Sequence, residues 1–209
     1  MQKNIKKLFF SDLVLGFSTT KKIAYIGVLT AFSVVANMFL EFRMYDVQFS
    51  FTIAISCLLG IVLGSVFGFT ACFVGDFIGY LFNSFGQLYM PWVGLSTGLI
   101  AFISGIVFNG FGKTAKSKIY LKLVVVCFLT FLICTIGVNS TGFYFYNLKM
   151  GFSSAVINYV AERFNGEVGY LGYVAYRMIF KGQIYNNIFN YALLFFIVPF
   201  IFKSKLLNK

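Results

Sequence analysis

Between Gly60 and Gly112 the chain carries a single formally charged side chain, Asp76. The stretch around it, GIVLGSVFGFTACFVGDFIGYLF, is otherwise apolar and small. Comparable apolar blocks recur at Ile23–Phe42, Val47–Gly64, Val66–Phe82, Val93–Phe111, Leu123–Tyr146 and Ile184–Phe202. Each is close to the ~20 residues that a helix needs to cross ~30 Å of hydrocarbon. Charged residues are 11% of the 209, against about 25% in a soluble domain. The blocks are continuous rather than alternating, which excludes the strands of a membrane barrel. The fold class expected is therefore an all-α integral membrane protein with about six transmembrane helices. One membrane domain, 23–202, follows an amphipathic segment, 1–22, and precedes a basic tail, 203–209.

The net charge of +11 comes from lysines placed between the spans rather than on a soluble basic face. That pattern argues for the positive-inside rule and against nucleic-acid binding. The N-terminal segment, the loop with Lys113, Lys116, Lys118 and Lys122, and the C-terminal tail are basic, so both termini are expected in the cytoplasm. The loops at Glu41–Asp46, Asn83–Pro91 and the long segment Asn147–Gly182 then face outside. The chain has no histidine, which removes imidazole relays and Ser–His or Cys–His nucleophiles. Cys57, Cys72, Cys127 and Cys134 all lie in apolar spans without CxxC spacing and read as buried thiols. No metal and no cofactor is expected.

A carboxylate near mid-membrane costs roughly 2.5–3.5 kcal/mol and usually faces a protein interior or a wet cavity. Asp76 is thus read as a site residue, the alternative being a hydrogen-bonded structural Asp near a helix end. It falls below the outer loops, where polar span ends can converge on one outward pocket. Ala24, Gly27 and Ala31 fall on one face of the first span, which permits close helix approach. Spacing leaves open whether that face packs internally or docks a partner helix. Gly64-Ser65 reads as a tight turn that makes spans two and three an antiparallel pair. Ser153–Arg163 reads as a short interfacial helix.

These residues resemble a known family. The small face of span one, the LLGIVLGSVFGFTACFVGDFIGYLF pair, the loop Gly-Gln-Leu-Tyr-Met-Pro-Trp and GLSTGLIAFISGIVF are similar to the substrate-binding S components of energy-coupling-factor (ECF) vitamin transporters. Val138-Asn139-Ser140-Thr141 and Tyr176-Arg177-Met178-Ile179 resemble stretches of the folate branch. The resemblance implies a multi-pass protein of a prokaryotic cell membrane that captures a vitamin outside and is not itself an enzyme. It implies a transmembrane coupling subunit and two ATP-hydrolysing subunits as partners, with Ala24, Gly27 and Ala31 as the coupling face. It also implies delivery by tilting of the whole S component in the bilayer. The chain has no GxxxxGK[ST] loop, so ATP is expected to be hydrolysed by another chain.

On this reading Asp76 receives paired N–H donors of a pterin-like ring. Tyr80, Tyr89 or Trp92 stack on the ring, and Asn83 and Asn139 read its remaining edges. Arg43 and Arg177 take a ligand carboxylate, unless Arg43 merely pairs with Glu41 or Asp46 and Arg177 snorkels. Folate-like ligands are favoured; riboflavin, pantothenate, pyridoxine and a cobalamin-like ligand stay open. A membrane enzyme lacks a partner for Asp76 within reach. A stand-alone proton-coupled carrier is the other alternative, against which stand the short chain and the absence of a visible inverted repeat.

Overall fold

A computed structural model describes residues 9–44, 47–82, 88–110, 118–164 and 166–203; of residues 41–44 and 47–48 only the backbone is described. Five helices are long and apolar enough to cross a membrane: Thr19–Phe39, Ser65–Phe82, Pro91–Gly110, Ile119–Met150 and Gln183–Lys203. In chain order the elements are α1 (Asp12–Leu15), α2 (Thr19–Phe39), β1 (Glu41–Met44), β2 (Val47–Ser50), α3 (Thr52–Leu63) and α4 (Ser65–Phe82). Then come α5 (Pro91–Gly105), α6 (Ile119–Leu129), α7 (Thr141–Met150), α8 (Ser154–Phe164), α9 (Tyr170–Ala175) and α10 (Gln183–Lys203). π-Helical turns at Ile106–Gly110, Thr130–Ser140 and Tyr176–Phe180 continue α5, join α6 to α7 and continue α9.

The second expected span differs from the reading of its sequence. Its helix, α3, has 12 residues, about 18 Å at 1.5 Å per residue, and falls short of the hydrocarbon thickness. The four residues before it form β2, which pairs antiparallel with β1, Glu41 opposite Ser50 and Met44 opposite Val47. Val47-Gln48-Phe49-Ser50 alternates apolar and polar, the period of a strand rather than of a helix. The fifth span also runs beyond its expected end at Tyr146, since its continuous helical stretch of 32 residues reaches Met150.

Small residues set the spacing at the middle of the bundle. A Cβ on Gly68 of α4 would lie 2.8 Å from the Gly60 Cα of α3, and one on Gly60 would run into the Ala101 carbonyl of α5. Three helices thus meet at backbone distance, the packing that dispersion favours where no water drives association. Gly64, at φ +91°, turns α3 into α4 as the sequence suggests. The last carbonyls of α3 lack intrahelical partners. Ser11 Oγ donates to Val62 O at 2.6 Å, and Asn109 Nδ2 to Ile61 O at 3.1 Å. Ser11 and Val14 are buried there, so the N-terminal segment covers this end of the α3–α4 hairpin.

The opposite end of the bundle is built differently. α8 is amphipathic: Val156, Tyr159 and Val160 turn inward at helical spacing. They join Tyr173 and Tyr176 in an aromatic cluster with Phe143, Tyr144 and Phe152, separate from the two cores between the long helices. This cap lies at the end where α3, α5 and α10 begin and α4 and α7 finish.

Candidate functional site

α3 and β2 owe their position to α10. Three amides, Asn186, Asn187 and Asn190, are buried on its first turns. Asn190 Oδ1 accepts from Ala54 N at 2.9 Å, in the first turn of α3, where no intrahelical carbonyl is available. Its Nδ2 donates to Ser50 O at 2.6 Å and Asn186 O at 2.8 Å. Asn186 Oδ1 accepts from Ser50 N at 3.0 Å. Asn187 Oδ1 accepts from Thr135 Oγ1 at 3.1 Å. These buried amides supply partners that the start of α3 and the end of β2 lack within their own elements, and so hold the short helix and the hairpin in place.

What they frame is a cavity of about 710 Å³, inside the range of small-molecule sites, roughly 300–1,000 Å³. Asn37, Ser50, Thr52, Ile53 and Asp76 bound it from α2, β2, α3 and α4. α5 contributes Val93, Ser96, Thr97 and Ile100; the π-turns and α7 contribute Thr135, Asn139, Phe143 and Asn147. The cap closes it with Ser153, Val156, Tyr173, Tyr176, Arg177 and Lys181, and α10 with Gln183 and Asn186. The wall is therefore mostly hydroxyls and amides, with rings from Phe143, Tyr173 and Tyr176.

Asp76 is the only carboxylate on that wall among the described residues. Tyr89 Oη donates to its Oδ2 at 3.4 Å, and Tyr89 packs on Phe77 and Tyr80, ring centroids 5.1 Å away in each case. Burial, and then the neighbouring Asp76 charge, push the Tyr89 phenol up to about 12. Gly94 supplies the space for this pair: a Cβ there would lie 2.6 Å from Tyr89 Oη and 2.9 Å from Asp76 Oδ2.

Arg177 stands on the same wall, its guanidinium carbon 4.1 Å from the Phe143 ring centroid. Its Nε is buried with no hydrogen-bond partner. Burial pulls the guanidinium below the usual arginine value, and the Tyr173 and Tyr176 phenols push back in part. Asn139 Oδ1 is likewise buried and unpartnered.

The sequence-predicted residues thus fall into groups. Asp76, Asn139 and Arg177 line the cavity. Tyr80 and Tyr89 stand behind Asp76 rather than on the described wall. Trp92 is set back too: it packs against Gly142 and lies 5.6 Å from Phe143 and 5.8 Å from Tyr146. The rings on the wall are others, Phe143, Tyr173 and Tyr176. Asn83 and the Arg43 side chain lie outside the described residues, as do Lys113 and Lys116. Ala24, Gly27 and Ala31 are exposed, and a Cβ on Gly27 would meet nothing within 4 Å. Their face opens outward rather than packing within the chain. The α10 amides were readable in principle: Asn186, Asn187 and Asn190 interrupt an apolar run, and buried amides need partners.

Residues 17–175 match the family described as ECF-type riboflavin transporter, S component. Among curated proteins none matches the chain. Among solved structures, a crystal structure of FolT bound with folic acid is similar in fold, with a TM-score of 0.56 and 21% identity over 92% of this chain and 94% of that one. With its apolar helices and cavity and a family match across most of its length, the chain belongs to the S components of the ECF-type riboflavin transporter family.

Proposed function

We propose that this S component captures a water-soluble vitamin with a folate-like ring from outside the cell and delivers it inward as part of an ATP-driven importer. The observation that carries the reading is a polar cavity of about 710 Å³ with Asp76 as its one described carboxylate. A pterin edge offers adjacent N–H donors, which an acceptor-only carboxylate receives as a pair. Phe143, Tyr173 and Tyr176 put aromatic surface on the wall, and Asn139 Oδ1 is a buried acceptor without a partner among the described residues. The FolT structure, with folic acid bound, agrees in fold.

Riboflavin is the second reading, favoured by the family description. An isoalloxazine edge presents one N–H between two carbonyls, which suits an amide such as Asn139 better than a carboxylate. Titration of the purified chain with folic acid and with riboflavin separates the two. The folate-like reading expects folic acid to bind more tightly and Asp76→Asn to weaken it. Tighter riboflavin binding, unaffected at Asp76, would reverse the choice, and binding of neither these nor any other water-soluble vitamin would remove vitamin capture.

Energy is supplied by partner chains: a coupling subunit that docks on Ala24, Gly27 and Ala31, and two ATPase subunits. The exposed small-residue face allows close helix approach. Uptake by cells that express this chain with and without those subunits tests the point. Uptake without them would support a proton-coupled carrier instead.

A further inference from the structure

The inward-facing residues of the longest span, Ile119–Met150, change their spacing where the cavity begins. Over α6 the buried positions Ile119, Leu123, Val126 and Thr130 follow the period of an α-helix, about 3.6 residues. On the cavity wall the positions are Thr135, Asn139, Phe143 and Asn147, every fourth residue. Three α-helical turns take about 11 residues, and this stripe takes twelve. Kept in α-helical register, Asn147 would stand about a third of a turn away from the face of Thr135. The surplus residue is absorbed by the π-helical stretch Thr130–Ser140, in which the turns close five residues back rather than four. Hydroxyl side chains show the same widening. Thr30, Ser104 and Thr130 donate to the carbonyl four residues back, at 2.8, 2.8 and 2.7 Å, the ordinary reach in an α-helix. Ser140 Oγ donates instead to Thr135 O at 2.8 Å, and Thr141 Oγ1 to Ile136 O at 3.3 Å, both five residues back. From the cap, Tyr170 Oη donates to the same Ile136 carbonyl at 3.4 Å and lies 2.9 Å from Thr141 Oγ1.

We infer that this wide stretch is the spacing device of the binding site. Its surplus residue turns Phe143 and Asn147 onto the wall that Thr135 already faces, and Ser140, Thr141 and Tyr170 are positioning residues that hold it wide. The inference rests on the reading of the cavity as the vitamin site and adds what aligns its longest wall. None of the three hydroxyls lines the cavity; they act through the residues that do. Removing one residue inside the stretch leaves a plain α-helix with both of its ends in place. Removing one from the α-helical part turns everything that follows by about 100°.

The test compares two single-residue deletions in the full chain, purified in detergent. One removes Gly137, exposed inside the wide stretch, and the other removes Phe145, exposed on α7. Binding is read by calorimetric titration with folic acid and with riboflavin, and folding by the midpoint of thermal unfolding. Deletion of Gly137 is expected to keep the midpoint near that of the parent and the affinity within roughly tenfold. Deletion of Phe145 is expected to lower affinity more than roughly a hundredfold, because Asn147 and the cap turn off the wall. Thr141→Val removes the hydroxyl and is expected to weaken binding roughly three- to tenfold. Added to the Gly137 deletion, the same substitution is expected to cost nothing further, because a plain α-helix needs no such hold. A hydroxyl that serves stability alone would give losses that add. Two deletions with the same effect on binding, or additive losses in the double variant, would overturn the inference while leaving vitamin capture intact. A parent chain that binds neither these nor any other water-soluble vitamin would overturn both.

Discussion

Replacing Asn190 with leucine tests whether side-chain amides hold the short helix α3 inside the bilayer. Leucine fills a similar volume, so the change removes hydrogen bonds and leaves little cavity. Asn190 is fully buried and bonds to Ala54 N at 2.9 Å, Ser50 O at 2.6 Å and Asn186 O at 2.8 Å. Ala54 N has no intrahelical acceptor, and Ser50 O loses the amide that approaches it most closely. An orphaned buried group costs about 1–3 kcal/mol, so losing both partners costs roughly 2–6 kcal/mol, less what the added apolar burial returns. Because Ser50, Thr52 and Ile53 line the cavity, ligand affinity is expected to fall along with stability. The assay is reversible denaturation in mixed micelles, with ligand titration alongside. A stability change below about 0.5 kcal/mol, the ordinary range of a surface substitution, would refute the reasoning.

Further outcomes follow from the same geometry. Asp76→Asn turns a pure acceptor into a mixed donor and acceptor, and is expected to lower affinity for a donor-edged ring roughly ten- to a hundredfold, read by titration. Gly94→Ala places a Cβ on Tyr89 Oη and Asp76 Oδ2, the far ends of side chains that can shift; affinity is expected to fall, with a smaller loss of melting temperature than a clash against backbone produces. Gly60→Leu drives a side chain into the Ala101 carbonyl; overpacking of this kind costs about 1–3 kcal/mol or more, visible as a lowered midpoint of thermal unfolding. Gly27→Leu has open space around it; ligand binding by the purified chain is expected to persist while uptake in cells with the full importer is lost.

The membrane class was legible because apolar blocks of span length have few other uses, and Asp76 stood out because a carboxylate is costly in oil. Most helix positions followed from the same blocks. The β1–β2 hairpin was missed because Val47–Ser50 is apolar enough to merge with the block behind it; its alternation over four residues is a weak signal beside that run. The wall of the cavity was only partly legible. Asn139 was singled out near a span end and Arg177 through its resemblance to the folate branch, but Phe143, Tyr173 and Tyr176 look in sequence like the rings of Trp92, Tyr80 and Tyr89. Which rings face the cavity depends on how the cap, through its own aromatic cluster, folds over the bundle, and that is a tertiary contact. The α10 amides carried a readable burial cost, yet their partners, Ser50 and Ala54, lie 136–140 residues away.

The most direct measurement is mass spectrometry of the small molecule that accompanies the chain when it is purified from its membrane, taken beside the same preparation of Asp76→Asn. The account predicts a ring-bearing, water-soluble vitamin on the parent chain and its loss or marked depletion on the variant. A parent chain that carries only lipid and binds no added vitamin would contradict it.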